Sequence, residues 1–384
     1  MTEMDAPIRS LRRPGSHLRS PWPDRPQALL LRAALAENGQ AIEAWHGFTQ
    51  LVELDQIDRG SQRLLPLAYR NLLRQGVEGA QLSSLKNIYK HAWYRSHDQL
   101  RGGAQALQAL HEGGLETMVL KGAVLGACYY QDPGSRPMAD FDVMVPFESA
   151  RHAIEILRIA GWTPHDHQPE AAILRHHAEP FHGPGGRELD LHWHLQWEEV
   201  DDGAIWSAAL PFTIAGVASK RLCPADQLLH VCVHGSSSDP VAPIRWIADA
   251  VLIVRQQGDG FDWSRLIEQA SARRLTVTIA VTLSYLRDSF AIPIPEAVMQ
   301  SLRERSSSRT ERWGHRARVT PGLPGRKLAI VWERYSKLAA TNSTERGFAA
   351  LVLFLQQLWG LERRRDLPIE LVRRTLRHGF SSDR

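Results

Sequence analysis

Three aspartates carry the clearest chemical signal in the chain. Asp140-Phe141-Asp142 lies in the run Met138 to Val145, where polar and apolar residues alternate. Such a run is a strand, with both carboxylates on one face and Phe141, Val143 and Val145 on the other. Asp190 lies in a second alternating run, Glu188 to Leu195, and shares its face with Glu188, His192 and His194. Two carboxylates at i and i+2, completed by a third from a neighbouring strand, form an all-oxygen site for a hard divalent cation, Mg²⁺ or Mn²⁺. That site suits two-metal phosphoryl or nucleotidyl transfer. One ion activates an acceptor hydroxyl, and the other holds the triphosphate and the departing pyrophosphate.

Cations for the phosphates are close at hand in the sequence. The β-prone run Thr117 to Leu120 meets Lys121-Gly122, and Ala123 to Tyr130 then reads as a helix. Glycine lets backbone approach a phosphate, and a helix start offers free N–H groups. Lys121 and Arg136 add positive charge where a triphosphate accumulates the opposite sign. A competing chemistry comes from His165, His167, His176, His177, His182, His192 and His194, which crowd around the third strand. Imidazoles beside carboxylates suit zinc or iron and keep a His-assisted metal hydrolase open, although no H-E-x-x-H spacing is present. His192 either contacts substrate or is held on the strand by a neighbour.

The elements that must position these residues read as follows. Residues 1–24 form a basic tail repeatedly interrupted by proline and glycine; Asp24-Arg25-Pro26 is a helix start. Residues 25–112 are a helical region, with helices expected over 40–54, 62–74 and 80–112. Residues 113–200 are the α/β core that carries the aspartates: a helix over 150–160 closed by Gly161, a His- and Pro-rich loop to 186, then the strand with Asp190. Residues 201–300 are mainly helical and close one side of the site, and 301–327 reads as a linker before two last helices in the segment 301–384. Trp45, Trp93, Trp246 and Trp359 fall in apolar helical patterns and are expected in the core.

Composition narrows the function classes. The chain has 384 residues, 43% of them apolar, enough for a large core and too many for a disordered or collagen-like chain. No apolar run approaches the ~20 residues that span a bilayer. The N-terminus lacks an apolar signal segment, and three cysteines without a CxxC pair fit a reducing compartment, so a cytoplasmic location is expected. A net charge of +4 supplies no strong field for nucleic acid. Arg363 to Arg365, Arg373, Arg374 and Arg377 read as a solvated face.

The motifs Val119-Leu120-Lys121-Gly122, Arg136-Pro137-Met138-Ala139-Asp140-Phe141-Asp142-Val143-Met144-Val145 and Glu188-Leu189-Asp190-Leu191-His192-Trp193 resemble the bacterial uncharacterised nucleotidyltransferase family of the DNA polymerase beta superfamily. His230, His234, Arg245, Trp246 and Asp249 are similar to its downstream helical signature. The resemblance implies an α+β fold with a small mixed sheet, flanked by N- and C-terminal helical regions. It implies that Asp140 and Asp142 bind metal, that Asp190 is the third carboxylate and activates the acceptor, and that Gly122 belongs to a phosphate-binding turn. His234, Arg245 and Asp249 on the later helices read by themselves as structural polar pairs, and the resemblance tilts them toward nucleotide contact. The implied substrates are an NTP such as ATP and an acceptor hydroxyl or phosphate on a small molecule, peptide or sugar. One departure stands out: Ala123 follows Gly122 where the superfamily has serine or a second glycine, which leaves open an inactive, nucleotide-binding regulatory protein of the same fold.

Overall fold

Asp24 caps the first helix from both directions: its carboxylate accepts from the Gln27 N–H, and the Gln27 side chain accepts from the Asp24 N–H. In the computed structural model, which describes residues 18–37, 39–173, 176–196, 201–305, 308–341, 346–361 and 363–379, this cap opens α1 (Arg25–Leu35). There follow α2 (Gln40–Thr49), α3 (Arg59–Gln62), α4 (Leu65–Arg74) and the long α5 (Ala80–Glu112). The middle of the chain forms β1 (Met118–Val119), α6 (Lys121–Val124), β2 (Phe141–Met144), α7 (Ala150–Ile159), β3 (Thr163–Pro164), α8 (Pro169–Ala172), β4 (Ala178–His182) and β5 (Glu188–His192). Next come α9 (Gly203–Ser207), β6 (Leu210–Ile214) and β7 (Val217–Arg221). Helices α10 (Pro224–Gly235), α11 (Arg245–Gln257), α12 (Trp263–Ala272), α13 (Thr276–Phe290) and α14 (Glu296–Arg305) complete the body; α15 (Arg309–Val319), α16 (Arg326–Thr341), α17 (Phe348–Leu358) and α18 (Leu367–Gly379) follow.

The fold is mixed α/β. One seven-stranded sheet runs in the order β3-β4-β5-β2-β1-β7-β6, parallel at β5/β2 and β1/β7 and antiparallel elsewhere. A single large apolar cluster joins α1, α2 and α4 to the inner face of the sheet and to α10 through α14. At the centre, α5 crosses behind β2 so closely that a Cβ on Gly103 would lie 2.1 Å from the Phe141 ring. Only glycine permits that approach.

Several expectations change. The stretch 301–327 is no linker: α15 occupies Arg309–Val319, capped by Ser308 and anchored where buried Glu311 accepts from the Val277 N–H at 2.7 Å and from Thr276 Oγ1 at 3.1 Å. The proline and glycine signals there mark only the turn at 320–325. The His- and Pro-rich loop contains β4, and the region after 204 contains the β6–β7 hairpin, so the sheet runs past residue 200. Ala215 and Gly216 both take positive φ at that hairpin's turn, where alanine gives no advance signal. The expected helix over 123–130 starts at Lys121 and passes into a π-type turn over Leu125–Tyr129. Trp45 and Trp246 are buried as expected, whereas Trp93 is 37% exposed, stacked on His97. Residues 1–17 of the expected flexible tail lie outside the described residues, and 18–24 is packed on the body instead: Arg19 bridges Asp239, the Pro21 carbonyl accepts from Trp246 Nε1 at 3.2 Å, and Trp22 meets the Trp246 ring edge-on at 5.8 Å. Among the described residues no helix is long and apolar enough to cross a membrane.

Candidate active site

Parallel pairing of β2 with β5 puts Asp142 directly opposite Asp190, so the two side chains share a face. Gln99, buried on α5, fixes the pair from beneath: its amide donates to the Ala139 carbonyl at 2.9 Å and to the Glu188 carbonyl at 2.6 Å, one at the start of each strand. His192, two residues after Asp190, turns Nε2 to within 3.1 Å of Asp142 Oδ1. One ligand atom each from Asp142, Asp190 and His192 lies within 4.8 Å of the others, and no other such group of His, Cys, Asp or Glu occurs among the described residues. Two carboxylates and an imidazole fit a divalent cation.

A lysine completes the cluster. Lys121 Nζ lies 2.5 Å from Asp142 Oδ1 and 3.5 Å from His192 Nε2. Its backbone φ is 40°, in the left-handed region, so a non-glycine residue is held there against a cost of about 1–3 kcal/mol. Asp142 and His192 are almost fully buried; Asp140 and Asp190 are partly exposed.

The charges act on one another. Burial opposes ionisation of Asp142, but the Lys121 ammonium and the His192 hydrogen bond outweigh it and hold its carboxyl well below the usual range. Burial pushes Asp190 the other way, to about 7, and the neighbouring Asp142 adds to the effect. The Asp142 carboxylate raises Asp140 as well, with burial adding to it. Burial works against the charge on Lys121, yet Asp142, Asp190 and Asp140 raise its affinity for the proton overall. His192 is held below the ordinary imidazole range by burial and by the Lys121 charge, and a neutral imidazole is the form that ligates metal.

The residues expected at the site fall into two groups. Asp142, His192 and Lys121 come together within hydrogen-bonding distance, and a carboxylate oxygen of Asp190 lies within 4.8 Å of the ligand atoms of Asp142 and His192. Asp140 lies at the edge, within electrostatic reach but outside the set of donor atoms. Arg136 faces a different partner: Nε and Nη2 donate to the two oxygens of Asp249 on α11 at 2.8 and 2.9 Å, and Tyr130 donates to the same carboxylate at 2.7 Å. Gly122 is buried with ordinary negative φ, and a Cβ there would meet Met138 at 2.8 Å and Arg136 Nη1 at 3.1 Å. Close packing explains this glycine. His234, at the surface end of α10, is held below the ordinary imidazole range by desolvation first and by the Lys121 charge next.

Sequence reasoning missed Gln99, because a lone glutamine in a long helix carries no motif. Arg245, read from the residues alone as a member of a structural polar pair, has a backbone partner instead. Arg245 Nη1 donates to the Pro137 carbonyl at 2.7 Å, and no carboxylate among the described residues lies within ion-pair distance. Its guanidinium is lowered to about 10 by burial and by Arg136, and its charge reaches Asp140. Of the seven crowded histidines only His192 joins the ligand group, with His177 stacked edge-on to it at 5.4 Å between ring centres.

Comparison with known proteins adds a family. A solved structure of the antibiotic-resistance factor ANT(2'')-Ia aligns with 51% of this chain and 95% of its own, at 15% identity and a TM-score of 0.33. The search of curated proteins gives no match. The family model described as "Uncharacterised nucleotidyltransferase" matches residues 60–291, a span that contains β1, β2, β5 and helices α10 and α11. The chain therefore belongs to that nucleotidyltransferase family.

Proposed function

We propose that the protein transfers a nucleotidyl group from an NTP to a hydroxyl or phosphate oxygen of a small molecule, peptide or sugar, releasing pyrophosphate, with a divalent cation at Asp142, Asp190 and His192. The carrying observation is the in-register placement of Asp142 and Asp190 on parallel strands with His192 beside them. A cation bound there, Mg²⁺ or Mn²⁺, supplies Lewis-acid stabilisation of charge on the phosphate oxygens. Asp140, one strand step from Asp142, adds negative charge at the rim. Asp190, the more exposed of the paired carboxylates, takes the acceptor's proton as the acceptor oxygen bonds to the α-phosphorus and the bond to pyrophosphate breaks. Arg245, near Asp140 and without a carboxylate partner among the described residues, is placed for the phosphates better than Arg136, whose charge Asp249 neutralises. The free, unpaired cysteines are consistent with a cytoplasmic location.

The test is calorimetric binding of each NTP with and without Mg²⁺, on wild type and on Asp142→Asn and Asp190→Asn proteins with unchanged circular dichroism. Metal-dependent binding of one NTP, weakened about a hundredfold in Asp142→Asn, is the expected result. Equal binding by wild type and both variants would sink the reading.

A further inference from the structure

The proposed site already holds a cation, the ammonium of Lys121, on the atoms a metal would use. Asp142 Oδ1 lies 2.5 Å from Lys121 Nζ and 3.1 Å from His192 Nε2, and the ammonium stands 3.5 Å from that imidazole nitrogen. A divalent ion cannot take this oxygen and nitrogen while the ammonium remains at contact distance from both, because two cations so close repel and share one lone-pair region. The ammonium also has work to do in the ion's absence: Asp142 is 1% exposed, and an unpaired carboxylate buried that deeply is strongly disfavoured.

We propose that Lys121 is a tethered counter-cation, which neutralises the carboxylate site while it is empty of metal, yields Asp142 when a divalent ion binds, and moves to the phosphates of the nucleotide. This deepens the metal-dependent reading above and rests on it. The left-handed backbone at φ 40° supports it, since the surroundings must hold a lysine in a conformation that glycine adopts more readily, and the result is an ammonium against Asp142. An exit is built in as well. The Lys121 side chain is 20% exposed, against 2% for those of Asp142 and His192, so of these three contacting groups it is the one with a way out to solvent. Arg136 cannot take its place at Asp142, because its guanidinium is committed to Asp249. A single charge would thereby couple metal and nucleotide: each ion bound releases one ammonium for the triphosphate.

The experiment is titration of the nucleotide-free full chain with Mn²⁺, followed by the paramagnetic resonance of the free ion, alongside thermal melts with and without Mn²⁺. Wild type is compared with Lys121→Met, Lys121→Gln and Asp142→Asn. The expected result is Mn²⁺ binding at least tenfold tighter in both lysine variants than in wild type, with a larger rise in melting temperature on adding Mn²⁺. Should Lys121→Met fail to fold without metal, Lys121→Gln, which keeps a hydrogen-bond donor, carries the comparison. Binding that is equal or weaker in the lysine variants, while Asp142→Asn abolishes it, overturns the counter-cation and leaves the metal reading standing. No Mn²⁺ binding by any of the four proteins overturns both.

Discussion

At the scale of single residues, the same side-chain type does opposite work according to what faces it. Arg136 and Lys121 are both cations near the aspartates, yet buried Arg136 is clamped bidentately by Asp249 with Tyr130 as third member, while the partly exposed Lys121 pairs with Asp142. The Arg136 pair is almost fully buried on both sides, so removing one partner leaves an uncompensated charge. We expect Asp249→Ala to lower unfolding free energy by about 3–5 kcal/mol, read from urea denaturation. The double variant Arg136→Met with Asp249→Leu should lose less than the single one, since no charge is left stranded. A double variant no more stable than Asp249→Ala would show that the network acts by shape rather than charge.

At the scale of elements, the site depends on the register of β2 against β5, and Gln99 is the side chain that ties the two starts together. Replacing it with alanine leaves the Ala139 and Glu188 carbonyls without that donor. The expected cost is about 1–3 kcal/mol of stability, with weaker Mn²⁺ binding because the two aspartates are less firmly aligned. Stability lost without any change in Mn²⁺ binding would mean that the ladder alone maintains the register. Strand order explains the rest of the positioning: β1 and β5 flank β2, so the lysine after β1 and the aspartate of β5 meet across the strand that bears Asp142.

At the scale of the whole molecule, buried neutral histidines tie stability to pH. His315 on α15 is 7% exposed, shares a hydrogen bond of 3.0 Å between Nδ1 and Thr278 Oγ1, and is lowered by burial to about 4. The unfolded chain protonates this residue near 6.5, and the folded chain only near 4. Its contribution is therefore full above pH 6.5 and is lost as pH falls toward 4, by at most about 3 kcal/mol. Burial holds His230 below its ordinary value in the same sense and adds to the slope. Urea midpoints at pH 7 and pH 4.5 should show the fall, and His315→Gln should flatten it; an unchanged slope would remove His315 from the account.

Alternation along Met138–Val145 and Glu188–Leu195 was enough to put Asp142, and Asp190 with His192, on strand faces, because a strand's period of two is written directly in residue order; the strands formed are shorter, Phe141–Met144 and Glu188–His192, and leave Asp140 and His194 outside them. The helices over 25–112 and the cap at Asp24 were legible for the same local reason. Which acids meet was decided elsewhere. The parallel register that sets Asp142 against Asp190, the entry of His192 into the ligand group in place of Asp140, the loss of Arg136 to Asp249, and the arrival of Gln99 from α5 are all contacts between distant segments. Local spacing cannot encode them, since each depends on how the sheet is ordered and on which helix crosses behind it. The sequence by itself determined the alternating strands and the side on which their acids stand; the tertiary structure decided which groups come together, an imidazole joining two carboxylates where an all-oxygen set was expected, because partners are chosen by burial and charge among segments that residue order leaves far apart.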